Sequence, residues 1–122
     1  MNRTEFEKFI EESFGVSAEY PFEKYPNFAV FRHAGSKKWF AVVMTIPKSK
    51  LGIAESGDID IVNLKCEQGL LCSLWQEKGF FPAYHMNKGH WISASLGDGT
   101  DADFLRYLTD ISFELTLSKK KK

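Results

Sequence analysis

Two short polar segments constrain this chain more than anything else in it: His33-Ala34-Gly35-Ser36-Lys37-Lys38 and Asn87-Lys88-Gly89. Each contains glycine and lies between runs of strand-forming residues, the pattern of two antiparallel strands joined by a turn. The first joins a strand at 28–32 to one at 39–46. The second lies inside 80–96, which reads as two strands around a tight turn. Two hairpins without a run of alternating strand–helix units predict an antiparallel sheet. Period-two alternation sets Phe40, Val42, Met44 and Ile46 on one face of the second strand, and Trp39, Ala41, Val43 and Thr45 on the other.

Helical spacing appears three times. Thr4-Glu5-Phe6-Glu7 has capping-box spacing, and Phe6, Phe9, Ile10 and Phe14 recur on one face. A helix is expected over 4–14, with Gly15 as its left-handed end. Residues 67–78 predict a second helix with Leu70, Leu71, Leu74 and Trp75 facing inward, Cys72 as a buried inert thiol and Gly79 as its stop. Thr100 and Asp101 are candidate caps for a third helix. Its stripe is Phe104, Leu105, Leu108, Ile111 and Leu115, and it fades by Leu117. Between the first two helices, Ile59, Ile61, Val62 and Leu64 mark a third strand.

The order is therefore α-β-β-β-α-β-β-α. The fold class is α+β: a two-layer α/β sandwich with an antiparallel five-stranded sheet, covered by helices on one face and at least partly open on the other. A chain of 122 residues fits one domain, expected over 1–118, with residues 119–122 as a disordered lysine tail. Eleven phenylalanines suit a small, dense core.

The net charge is zero but unevenly placed. Residues 1–23 carry two basic and six acidic side chains, whereas 24–54 carry six basic side chains and no acid. Such a block gives a neutral protein the means to present a basic face. Cys66 and Cys72 are too few for a disulfide scaffold and lack CxxC spacing. The acidic, amphipathic N-terminus is not a signal peptide, and no apolar run is long enough for a membrane span. A cytoplasmic protein with reduced thiols, without a membrane and acting as a monomer, is expected.

No enzyme constellation is present: GxGxxG, a P-loop, GxSxG and HExxH are all missing. Asp58 and Asp60 share one side of a strand, but a solvated edge explains them. Asp98, Asp101 and Asp103 suit a helix start. Cys72 has no base placed beside it. His85 and His90 would flank a tight turn and suit zinc or copper, but no third ligand lies nearby. Neither a catalytic residue nor a cofactor or metal is expected. What remains is a set of donors on both turns: His33, Ser36, Lys37 and Lys38 on one, Asn87, Lys88 and His90 on the other. Trp39 and Trp91 lie just inside. Lysines neutralise phosphates, asparagine reads base edges and aromatics stack.

The string Pro82-Ala83-Tyr84-His85-Met86-Asn87-Lys88-Gly89-His90-Trp91-Ile92, with the later Ser112-Phe113-Glu114-Leu115-Thr116, resembles the signature of the MmcQ/YjbR family of small bacterial proteins. The resemblance covers nearly the whole chain. It implies a fold like that of type III secretion chaperones and frataxin, and two hairpins acting as a double-wing DNA-binding motif. It brings no catalytic residues and no cofactor. The leading expectation is a non-enzymatic module that binds double-stranded DNA through Lys37, Lys38, His85, Asn87, Lys88, His90 and Trp91. The alternatives are a protein-interaction adaptor using the open sheet face, and a small-molecule or metal site around Tyr84, His85 and His90.

Overall fold

The structure is a computed structural model and describes residues 1–117. The lysine tail expected at 119–122 lies outside the described residues.

Helix α1 (Arg3–Phe14) is capped by Asn2, not Thr4. The Asn2 side chain accepts from the Glu5 N–H at 2.8 Å, and the Glu5 carboxylate accepts from the Asn2 N–H at 2.8 Å. Asparagine outranks threonine as a cap, and this start lets Arg3 donate to Glu7 at 2.9 Å and to Thr45 at 2.8 Å. Gly15, at φ +68°, closes the helix as expected.

Strands β1 (Ala29–Arg32), β2 (Trp39–Pro47), β3 (Asp58–Lys65), β4 (Phe80–Pro82) and β5 (Trp91–Ser95) form one antiparallel sheet in the order β1-β2-β3-β5-β4. A 3-10 turn (Lys48–Leu51) follows β2. Helix α2 (Gln68–Leu74) carries the chain from β3 to the far edge, and α3 (Ala102–Leu115) follows β5. Among the described residues the fold is thus α+β, with three α-helices and an open five-stranded sheet. The helices bury Phe6, Ile10, Leu71, Leu74, Leu105 and Leu108 against one sheet face.

That face is not assigned by simple alternation. Phe31 pairs with Ala41, but Arg32 pairs with Trp39, so Phe40 is an extra residue in β2. This bulge turns Phe40 to the helix side beside Ala41 and Val43, where it meets Phe14 and Phe113. Trp39 joins Val42, Met44 and Ile46 on the opposite side. The expected faces of Trp39 and Phe40 are therefore exchanged.

The opposite face is also more covered than expected. Val30, Val42, Met44, Ile46 and Ile61 are buried there beneath Phe22, Phe28, Leu51 and Tyr84. Besides Leu51 of the 3-10 turn, two segments supply this cover. One is the proline-containing stretch before β1. The other is the connection after β4, which is not a tight hairpin: it spans residues 83–90. The Tyr84 N–H donates to Ser93 Oγ at 2.9 Å, the Ser93 hydroxyl donates to Asn63 Oδ1 at 2.5 Å, and Asn63 Nδ2 donates to the Tyr84 carbonyl at 2.8 Å. This ring of bonds pulls the chain back over β5 and β3 instead of letting it project.

Helix α2 is shorter than the 67–78 expected, and only Leu71 and Leu74 are buried. Leu70 and Trp75 are exposed. Cys72 is exposed too, and the buried thiol is Cys66, whose pKa burial pushes up. In α3, Asp101 is the cap, accepting from the Asp103 and Phe104 N–H groups. Leu115 is exposed, while Thr109 and Ser112 take the inward positions. Asp60 lies on the central strand, not on an edge, and accepts from the Thr45 hydroxyl at 2.5 Å. No helix among the described residues is long and apolar enough to cross a membrane.

Candidate nucleic-acid interface

Strand direction brings three lysine-bearing segments to one end of the sheet. β1 and β4 finish there, β2 and β5 begin there, and β3 ends there at Lys65. The 33–38 turn and the 83–90 connection therefore lie at the same end, separated by three strand spacings, about 14 Å. Lys37, Lys38 and Lys88 are exposed on these segments, with Lys65 between them. Lys37 adopts φ +67°, the left-handed conformation of a tight turn.

The structure divides the six-charge block seen in the sequence. Lys37 and Lys38 stand at this end, whereas Lys48 and Lys50 stand at the other, beyond the end of β2. Arg32 donates to Glu19 at 2.6 Å, and Lys48 pairs with Glu55 at 3.0 Å. The Arg32 hydrogen bond holds the Glu19 carboxyl below its usual pKa. On the helix side of the basic end, Glu67, Asp110 and Glu114 line a separate groove. The lysines thus stand on the strand side and the acids on the helix side.

The other expected site residues take different positions. His33 is buried, 5% exposed, with Nε2 at 2.8 Å from Thr116 Oγ1, and its ring centroid is 4.2 Å from that of Phe113. It packs the turn onto α3. The Asn87 side chain accepts from the Gly89 N–H at 2.7 Å and its carbonyl accepts from the His90 and Trp91 N–H groups. It therefore builds the turn, with its side-chain amide N–H groups as remaining donors. The His90 carbonyl accepts from the Cys66 N–H at 2.8 Å. Trp91 is half-buried, and Lys65 Nζ lies 5.6 Å from its ring centroid.

His85 goes elsewhere. The 83–90 connection carries it across the sheet to a cleft of about 230 Å³ above Val42 and Met44 of β2. Aromatic rings wall the cleft: Trp39 at the start of β2, and Phe22, Tyr25 and Phe28 from the segment before β1. Phe22 meets Trp39 edge-on with centroids 5.8 Å apart, and Tyr25 stacks on Phe28 at 4.8 Å. His85 and Met86 form the remaining side. His85 adopts φ +60°, and Tyr84 braces its ring at 4.1 Å. His85 and His90 thus serve different places. Among the described residues, no three His, Cys, Asp or Glu side chains gather where they could hold a metal ion.

Sequence reasoning missed Lys65 and the cleft. Asn63, a lone polar residue inside an apolar strand, was a usable signal for the bonds that draw His85 over the sheet.

A family model described as YjbR matches residues 12–115. The chain belongs to the YjbR family. It is 42% identical over 117 residues to YyaQ, an uncharacterised protein of Bacillus subtilis strain 168, covering 95% of this chain and 98% of that one. A crystal structure of a Pseudomonas syringae protein superposes with a TM-score of 0.94 at 39% identity, covering 96% of this YjbR-family chain and all (100%) of that one. Protein DR2400 of Deinococcus radiodurans shares the fold at 21% identity, with a TM-score of 0.61 over 82% of this chain and 67% of that one.

Proposed function

We propose that this YjbR-family protein is a non-enzymatic module that grips double-stranded DNA with the basic end of its sheet. The observation that carries the reading is the convergence of Lys37, Lys38, Lys65 and Lys88 at one end from three separate segments. Flexible ammonium groups on a rigid sheet edge suit phosphate contacts. The two outer segments, about 14 Å apart, can meet phosphates on both sides of a groove about 12 Å wide. The double-wing picture changes. The 33–38 turn is a short one anchored to α3 by His33 that offers Lys37 and Lys38, and the second segment lies folded along the sheet and offers Lys88, Asn87 and His90 from its outer turn. On this reading the protein works in the cytoplasm as a monomer.

Affinity for a short duplex is expected in the non-specific range, about 10⁻⁴ to 10⁻⁶ M. Four phosphate contacts give a salt slope of about −3.6 on a log–log plot. The test is an amide NMR titration with a short duplex at about 50 and 200 mM salt. Shifts at 33–39, 65 and 87–91 that fade with salt support the reading. Equal binding by the K37E/K38E/K88E variant overturns it.

A further inference from the structure

We infer that the cleft beside His85 is a stacking site for an unpaired nucleobase that carries a phosphate. Three observations converge on this class of ligand. First, four aromatic rings bound a space of about 230 Å³. That is below the roughly 300–1,000 Å³ of sites that enclose a drug-sized ligand, and it suits one ring system. Flat rings of any base stack on such walls.

Second, charge selects among flat or cage-binding ligands. Aromatic cages also attract organic cations. Among the described residues no acid lines this cleft, and Trp39, one of its walls, begins β2 directly after Lys37 and Lys38. A cation would be bound one and two residues from like charge, whereas a base with a phosphate could direct its negative group toward those lysines. Third, His85 stands in a left-handed backbone conformation that a non-glycine residue adopts at a cost, held there by the Asn63–Ser93–Tyr84 bonds. Its imidazole brings the one hydrogen-bonding side chain on that wall, able to meet a base edge.

The phosphate half of this inference rests on the basic-end reading; the stacking half does not. A single strand crossing the basic end would leave one base in the cleft and its backbone on the lysines. A free nucleotide offers the same chemistry.

The experiment compares three probes on the full chain: dT12, thymidine monophosphate and a blunt 12-base-pair duplex. Each is titrated into wild type, a Y25A/H85N variant and the K37E/K38E/K88E variant, with amide spectra reporting both fold and contact. Tyr25 is 51% exposed, and asparagine tolerates the His85 backbone, so the double variant is expected to fold. Loss of one stacked base should weaken dT12 binding at least about fivefold in Y25A/H85N while duplex affinity stays within about twofold. Shifts at 22–28, 39 and 84–86 with thymidine monophosphate alone identify a free nucleotide as sufficient. The same shifts with dT12 only identify a strand. Unchanged dT12 binding by Y25A/H85N, or shifts outside the cleft, overturns the inference and leaves the duplex interface standing. Strand binding that persists when wild type ignores the duplex overturns the duplex interface and leaves the cleft.

Discussion

His33 and Thr116 stand 83 residues apart in the chain and meet in a buried 2.8 Å hydrogen bond that ties the first turn to the end of α3. The Thr116 hydroxyl donates to the Ser112 carbonyl at 2.8 Å, which makes His33 Nε2–H the donor to Thr116. Burial holds the imidazole below its usual 6.5, opposed by the Phe113 carbonyl and the Glu114 carboxylate. An unfolded chain therefore takes up the proton first as pH falls. The His33 contribution is intact above about pH 6.5 and is lost between that pH and the lowered folded value. Urea midpoints at about pH 7.5 and 5.5 should fall less for His33→Gln than for wild type. An equal fall in both would mean that another group carries the pH dependence.

Ser112 repairs the sheet at the β2 bulge. The β2–β3 pairing stops at Ala41 and Leu64, and the buried Ser112 hydroxyl then donates to the Phe40 carbonyl at 2.6 Å and accepts from the Lys65 N–H at 2.8 Å. Ser112→Ala leaves both backbone groups without that partner. A loss of about 1–3 kcal/mol is expected in denaturant unfolding.

Asn63 should govern the cleft more than the rest of the fold. Asn63→Ala removes two of the three bonds in the ring that draws Tyr84 over the sheet. Stability should fall by about 1–3 kcal/mol. Amide exchange should accelerate at 84–86 more than in β2, β3 or β5. Uniform acceleration across the sheet would show that the ring holds the core and not the connection.

Gly79 is required by space as well as by backbone. It sits at φ +89°, and an added Cβ would lie 2.1 Å from Thr100 Oγ1. Thr100 is itself buried and bonded to Ser95 at 2.7 Å. Gly79→Ala should destabilise by more than the roughly 1 kcal/mol of a left-handed alanine, with a midpoint drop in thermal unfolding. Gly97→Ala, also at positive φ but in open space, is the control and should cost less.

Features under local control were legible in the residues alone. Apolar spacing placed α1 and α3 within two residues of their ends, period-two runs and polar turns specified antiparallel strands, and Gly15 and Asp101 marked helix boundaries. The tyrosine–histidine string was enough to indicate the family. Tertiary structure decided everything that depends on residues far apart in the chain. The bulge exchanged the faces of Trp39 and Phe40, because an extra residue in one strand answers to its partner's register. The path of 83–90 was decided by Asn63 and Ser93, whose side chains satisfy the Tyr84 backbone as no turn propensity could predict. Charge was sorted in the same way: Lys37 and Lys38 went to one end of the sheet and Lys48 and Lys50 to the other, and Lys65, unremarkable in sequence, came to stand between the two basic turns because antiparallel pairing ends β3 there.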